Sequence, residues 1–244
     1  MYQVVRLSDL ACIIEHFSIY PLKTKKFADF LLFKKAFDVV KIKEHLTKEG
    51  LINLINIRAS LNKGLPERLK SAFSNVIPVA RPQVPKAILD SNNPDIKHWI
   101  AGFVSGEGCF IIKTSKSKTH KLGISVTLNF LVFQNIRDAY LLESFSQVFC
   151  CGSFSPGPAA SNVVMPRGIK EKTAIGTFAV TNFNNIVDKI IPFFEEYPIL
   201  GAKAEEFKDF KEASVLIQSK AHLTKEGLDK ILLIKSRMNF SREL

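Results

Sequence analysis

Between residues 123 and 133 apolar and polar positions alternate. Ile124, Val126, Leu128 and Phe130 fall on one side, and Ser125, Thr127 and Asn129 on the other. A period of two is that of a β-strand with one buried face. The same pattern predicts strands at 109–114 and 173–181, the second with Phe178 and Val180 inward and Ile175, Thr177 and Thr181 outward. Residues 152–158 read as a turn-rich exit from a short strand. Elsewhere the apolar positions recur at helical spacing: Trp99, Ile100, Phe103 and Val104, then 137–149, then the stretch that follows Phe183. Near the N-terminus a possible strand at 2–7 precedes helices at 8–20 and 25–42 and a third opening near Thr47. The order helix, two strands, helix, two strands, helices predicts an α+β fold, an antiparallel sheet covered on one face by helices.

The chain also matches itself. Residues 17–62 align without a gap to 194–239, and eighteen of the forty-six positions are identical. Phe17, Tyr20 and Pro21 answer Phe194, Tyr197 and Pro198; Lys26 answers Lys203; Phe30 and Phe33 answer Phe207 and Phe210. The run His45 to Gly50, HLTKEG, recurs letter for letter at His222 to Gly227, and Asn62 answers Asn239. This marks a duplicated domain. A counterpart of the helix at Trp99 would fall before residue 1, so residues 1–73 are read as the C-terminal part of a first repeat. Its first helix and most of its strands are then missing. Residues 74–93, with Pro78, Pro82 and Pro85, are read as a linker, and 94–244 as a complete second repeat. Phe27, Phe30, Leu31, Leu32, Phe33, Ala36 and Phe37 give the 25–42 helix a broad apolar face that needs a sheet to cover it. Sequence further upstream, a second polypeptide or chain copy, and a decaying gene are all open readings of that gap.

The helix at 94–107 carries the chemistry. Asn93 suits its N-cap and Pro94 its first position. Ala101, Gly102, Ser105, Gly106 and Gly108 are small, and each interior glycine costs about 1 kcal/mol relative to alanine. That cost is accepted where another backbone comes close. Glu107 sits among these glycines with no neighbouring charge in the sequence to pair with. The run Ile100-Ala101-Gly102-Phe103-Val104-Ser105-Gly106-Glu107-Gly108 resembles the LAGLIDADG motif of homing endonucleases, in particular the fungal mitochondrial branch with two motifs per chain. Ser105 stands where the motif has its first Asp.

The resemblance implies a LAGLIDADG fold with a saddle-like sheet, twin motif helices packed together, and Mg2+ bound by Glu107 and the main-chain carbonyl of Gly106. It also implies a basic residue near the scissile phosphate, which falls on Lys203 and, in the first repeat, on Lys26. The predicted activity is site-specific cutting of double-stranded DNA in intron homing. Because one acid is visible, a competent nuclease requires the first repeat to be completed. The alternative is an intron maturase or RNA-binding protein that keeps the fold without cleavage.

Composition agrees with such a partner. The net charge of +11 and 34 basic residues favour a polyanion, with nucleic acid ahead of a membrane. No signal peptide and no apolar run of transmembrane length appears; abundant Phe, Ile and Lys beside one Trp suit an AT-rich organelle genome, and the resemblance implies a mitochondrial, organelle-encoded product. Cys12, Cys109, Cys150 and Cys151 lack metal spacing and read as mostly buried, reduced thiols. The five histidines show no ligand spacing. Thr47 and Thr224 are placed to cap helices beside His45 and His222.

A sheet face of Ser, Thr, Asn and Lys fits the DNA major groove, where base edges differ in donor and acceptor pattern. Ser125, Thr127, Asn129 and Thr177 are the expected base-reading positions, with Lys113, the second choice of basic catalytic residue together with Lys121. Ser115, Lys116, Lys118 and Lys121 in one turn, and Arg167, Lys170 and Lys172 in a later loop, are expected to meet phosphates.

Overall fold

The protein is described by a computed structural model, which covers residues 3–86, 89–157 and 174–238. The chain divides into two units, residues 1–87 and 88–244.

In the first unit, helix α1 (Leu7–Ile19) is followed by α2 (Lys26–Lys41), a 3-10 turn at Glu44–Leu46, α3 (Lys48–Ala59) and the short α4 (Glu67–Ala72). Ile14 of α1 packs with Phe30 and Phe37 of α2, with Leu10, Phe17, Phe27 and Leu31 around them. Helix-on-helix packing thus covers much of the face for which the sequence pattern asked a sheet. Phe33 stays exposed. The strand expected at 2–7 is absent among the described residues: 3–6 have no regular structure and Leu7 opens α1. An extended segment becomes a strand only beside a hydrogen-bonding partner, and none is present here.

The second unit opens with α5 (Pro94–Glu107) and runs directly into β1 (Gly108–Lys116). Then come β2 (Ile124–Asn135), a 3-10 turn at Ile136–Asp138, α6 (Ala139–Val148), β3 (Ser153–Pro156) and β4 (Ile175–Val180). The expected turn-rich exit is therefore itself a strand, on the edge of the sheet. The four strands are antiparallel in the order β1-β2-β4-β3. Helix α7 (Phe183–Asn185) passes through a π-helical stretch, Ile186–Ile190, into α8 (Ile191–Glu196), then α9 (Ala202–Gln218), a 3-10 turn at Ala221–Leu223 and α10 (Lys225–Arg237).

The core lies on one face of this sheet. Phe110, Phe130 and Phe178 from the strands are fully buried with Phe145 of α6, Phe194 of α8 and Phe210 of α9. Their rings meet in tilted and edge-on contacts, Phe110 with Phe210 at 5.2 Å and Phe130 with Phe194 at 5.6 Å, and aromatic quadrupoles favour edge-to-face over face-to-face pairing.

The aligned segments fold alike. In each, a lysine in left-handed conformation (Lys43, φ 62°; Lys220, φ 60°) leads into a 3-10 turn. A threonine then caps the next helix: Thr47 accepts from Gly50 N–H at 3.0 Å, and Thr224 from Gly227 N–H at 3.1 Å. A β-carbon on either glycine would lie 2.0 Å from a backbone oxygen, of Glu44 or Ala221, so only glycine fits. The same helix contact also recurs, Phe17 with Phe30 at 5.8 Å and Phe194 with Phe207 at 5.9 Å. What differs is the sheet. Phe210 buries itself against Phe110 of β1, whereas its counterpart Phe33 has no such strand among the described residues and is exposed.

Candidate metal site and nucleic-acid interface

Helix α5 is built as its sequence dictates. Asn93 Oδ1 accepts the Asp95 N–H at 2.9 Å, and Pro94 occupies the first position. Ile96, Ile100, Ala101 and Val104 are buried in the core, and Trp99 stacks on Phe103 at 4.9 Å along its edge. Gly102, Gly106 and Glu107 are exposed. A β-carbon on Gly108 would strike Val104, 2.4 Å from Cγ1 and 2.6 Å from its carbonyl oxygen, so the turn from helix into strand demands that glycine. A β-carbon on Gly102 or Gly106 would meet nothing within 4 Å. The close backbone expected along this face is therefore not supplied by the described residues.

Glu107 ends α5 with no hydrogen bond or ion pair among the described residues. Its residue surface is open, yet the protein beside the carboxyl strips enough water to raise its pKa above the usual value. The negative end of the helix adds to the call for a cation there. Gly106 is equally exposed, and last-turn carbonyls lack partners within the helix. Carboxylate and carbonyl oxygens are hard donors of the kind that Mg2+ and Ca2+ take. They make an incomplete set, since no cluster of three or more His, Cys, Asp or Glu suited to a metal occurs among the described residues.

Beyond Glu107 the free face of the sheet begins. Cross-strand partners share a face, so the register places Cys109 with Leu131 and Ala179, Ile111 with Asn129, Lys113 with Thr127, and Ser115 with Ser125 on one side. Thr177 joins them opposite Ser155 of β3. Lys113, Ser115, Ser125, Thr127, Asn129 and Thr177 thus lie together, away from the core residues Phe110, Leu128, Phe130 and Phe178. Ser115 and Ser125 hydroxyls bond at 2.8 Å. Ile111 and Leu131, half-buried, also lie on this face. An inventory of polar positions overlooked them, although the alternation itself assigned them there.

Lys116, Lys118 and Lys121 are exposed at the tip joining β1 to β2. That turn is ordered by Ser117 N–H to Gly123 O, 2.8 Å, and by Ser117 Oγ with His120 Nδ1, 2.7 Å. Arg167, Lys170 and Lys172 lie outside the described residues.

The two candidate lysines stand in different units. Lys203 opens α9, largely buried, and pairs with Glu206 at 2.8 Å. Burial pushes the Cys109 thiol upward while the charges of Lys203 and Glu206 pull in opposite directions, so both lie near the end of β1 that adjoins Glu107. Lys26 opens α2 and pairs with Asp29 at 3.0 Å. The acid three residues after each lysine was legible in the duplicated sequence but was passed over.

The histidines hold no metal-like cluster: His98 packs edge-on against Tyr197 at 5.0 Å, and the Nδ1 atoms of His45 and His222 are buried without a partner. The cysteines are all free thiols, but Cys12 and Cys150 are exposed, contrary to the expected burial. No described helix is long and apolar enough to cross a membrane.

Comparison with known proteins agrees with the fold. Residues 100–214 match the LAGLIDADG endonuclease family model. The chain is 36% identical over 242 residues to a probable intron-encoded endonuclease 2 of Neurospora crassa, covering 96% of this chain and 49% of that protein. It is 30% identical over 146 residues to the DNA endonuclease I-CeuI of Chlamydomonas moewusii, covering 58% and 62%. The chain thus spans about half the length of the first curated relatives it matches. Among solved structures, meganuclease I-SmaMI bound to uncleaveable DNA superposes with a TM-score of 0.86 at 36% identity, over 98% of this chain and 74% of that one. The I-LtrWI homing endonuclease bound to target DNA gives 0.84 at 36% identity, over 99% and 75%. I-SmaMI has also been solved on uncleaved DNA in the presence of calcium ions.

Proposed function

Since the chain belongs to the LAGLIDADG endonuclease family, we propose that it takes part in site-specific cutting of double-stranded DNA for intron homing, with Mg2+ at Glu107 and the Gly106 carbonyl. The observation that carries this reading is the bare carboxylate of Glu107 at the end of a glycine-faced helix, where that helix meets a sheet with one polar face.

Bound there, a divalent ion would polarise the phosphodiester and make its attacking water more acidic. Glu107 and Gly106 supply oxygens to hold it. Lys203, close to the same end of β1, offers positive charge beside the scissile phosphate, and Lys26 plays that part in the first repeat. The free face reads base edges through Ser125, Thr127, Asn129 and Thr177, and Lys116, Lys118 and Lys121 meet the backbone. The face of Gly102, Ser105 and Gly106 receives a second motif helix, from a longer product or a second copy, which brings the second acid. Residues 1–73 are the latter part of a first repeat.

Relatives named for an ND4 intron of Podospora anserina and a cox1 intron of Schizosaccharomyces pombe support an organelle gene and a mitochondrial product. An RNA-splicing role would leave the unpaired carboxylate without a use, so cleavage is favoured. The test is incubation of the chain with a randomised duplex library and Mg2+, followed by sequencing of cut or nicked ends. One recurrent site, lost on chelation, is expected. Selection of structured RNA over duplex DNA, with no cut ends, would overturn the proposal.

A further inference from the structure

The two lysines assigned to the scissile phosphate are held differently. Among the described residues Lys203 faces one acid, Glu206, and the pair is neutral. At Lys26 the acid is shared. Lys26 Nζ meets Asp29 Oδ2 at 3.0 Å, Arg81 Nη1 meets Asp29 Oδ1 at 2.8 Å, and Asn62 donates its N–H to the same Oδ1 at 3.2 Å. Asn62 Oδ1 in turn accepts from the Lys26 amine. Asp29 is nearly buried, so these donors satisfy a carboxylate that water reaches little.

Arg81 comes from the proline-rich segment, which is stapled along α3. Ile77 N–H donates to Asn56 Oδ1 at 3.0 Å, Ser60 Oγ to the Val79 carbonyl at 2.6 Å, and Arg81 also donates to the Ser60 carbonyl at 2.9 Å. The residues expected to form a free tether therefore deliver a guanidinium to a fixed place.

We propose that Asp29, Asn62 and Arg81 are positioning residues for Lys26. Asp29 and Asn62 fix the amine, and Arg81 takes up the aspartate's charge so that Lys26 stays available to a phosphodiester oxygen. Lys26, Asp29 and Arg81 together carry a net charge of +1, against zero for Lys203 with Glu206. Lys26 therefore attracts a phosphate before any metal arrives, and Lys203 does so less. The inference rests on the reading that Lys26 works beside DNA.

The experiment is acetylation of the full chain with a water-soluble active ester. The rate at Lys26 is read relative to Lys203 by mass spectrometry, with and without a mixed-sequence DNA duplex. Arg81→Gln leaves Asp29 to Lys26 alone and should slow Lys26 labelling about threefold or more, judged from screened Coulomb interaction. Arg81→Lys should restore it. Asp29→Asn should speed it. A merely structural role predicts faster labelling in both Arg81→Gln and Asp29→Asn, because each would loosen the site. That result, or a Lys26 to Lys203 ratio unmoved by either change, overturns the proposal. If the ratios respond as expected but DNA protects neither lysine, the clamp stands and the placement of Lys26 beside DNA falls.

Discussion

Three glycines at the end of α5 look alike in sequence and are unlike in space. Gly108 is demanded by its own chain, because a methyl group there collides with Val104. Gly102 and Gly106 are free to carry one. Helix propensity then makes a prediction: Gly102→Ala and Gly106→Ala should each stabilise the isolated chain by up to about 1 kcal/mol, a rise of roughly 2–4 °C in thermal midpoint. Gly108→Ala should lower it. The same two stabilising changes should weaken DNA cutting if a second helix has to sit on that face. Melting and cutting moving in opposite directions is the signature, and a stabilised variant that cuts undiminished would remove the second helix from the picture.

Asp29 gives a second residue-scale prediction. Burial alone would raise its pKa, but the bonds from Arg81, Asn62 and Lys26 outweigh it and hold the carboxyl at about 2, below its ordinary 3.8. A depressed folded value stabilises the protein above the unfolded pKa and is lost as pH falls through the folded one. Stability of the first unit should therefore drop between pH 3.8 and about 2, and Asp29→Asn should flatten that limb in acid-unfolding curves. An unchanged acid limb in the variant would show that the carboxylate is not held as described.

At the scale of elements, alternation in β2 and β4 was enough to sort free-face from core-facing residues, because a strand's period of two leaves little freedom. The helix following each HLTKEG run was equally legible, since threonine at the N-cap and glycine three residues later have local reasons. Thr47→Ala and Thr224→Ala should each cost about 1 kcal/mol by loss of the cap, which chemical denaturation can measure unit by unit. Equal stability of either variant would deny its cap a role. Less legible were contacts that depend on chain far away in sequence. Arg81 reaching Asp29 joins a proline-rich stretch to a helix start, and no local period encodes that. Residues Ser153–Pro156 became a strand only because β4 lies beside them. Residues 3–6 have no such neighbour among the described residues and stay irregular.

At the scale of the molecule, the match of residues 17–62 to 194–239 is the organising feature. Phe210 of the later segment rests on Phe110 of β1, while among the described residues its counterpart Phe33 has no strand against it. The motif could be read from nine residues, and it located Glu107 correctly at the junction of helix and sheet. It could not tell that the glycine face would be open, because what covers that face is not in the pattern. The net charge of +11 and the polar sheet face favour a polyanionic partner, and in the proposed function Glu107 is the residue that holds the metal. The most direct test is therefore Mg2+-dependent cleavage of a selected duplex by Glu107→Gln, measured at DNA concentrations that saturate both proteins. Loss of cutting with unchanged duplex affinity is predicted; cutting at the parental rate would contradict the assignment of Glu107 as the metal's ligand.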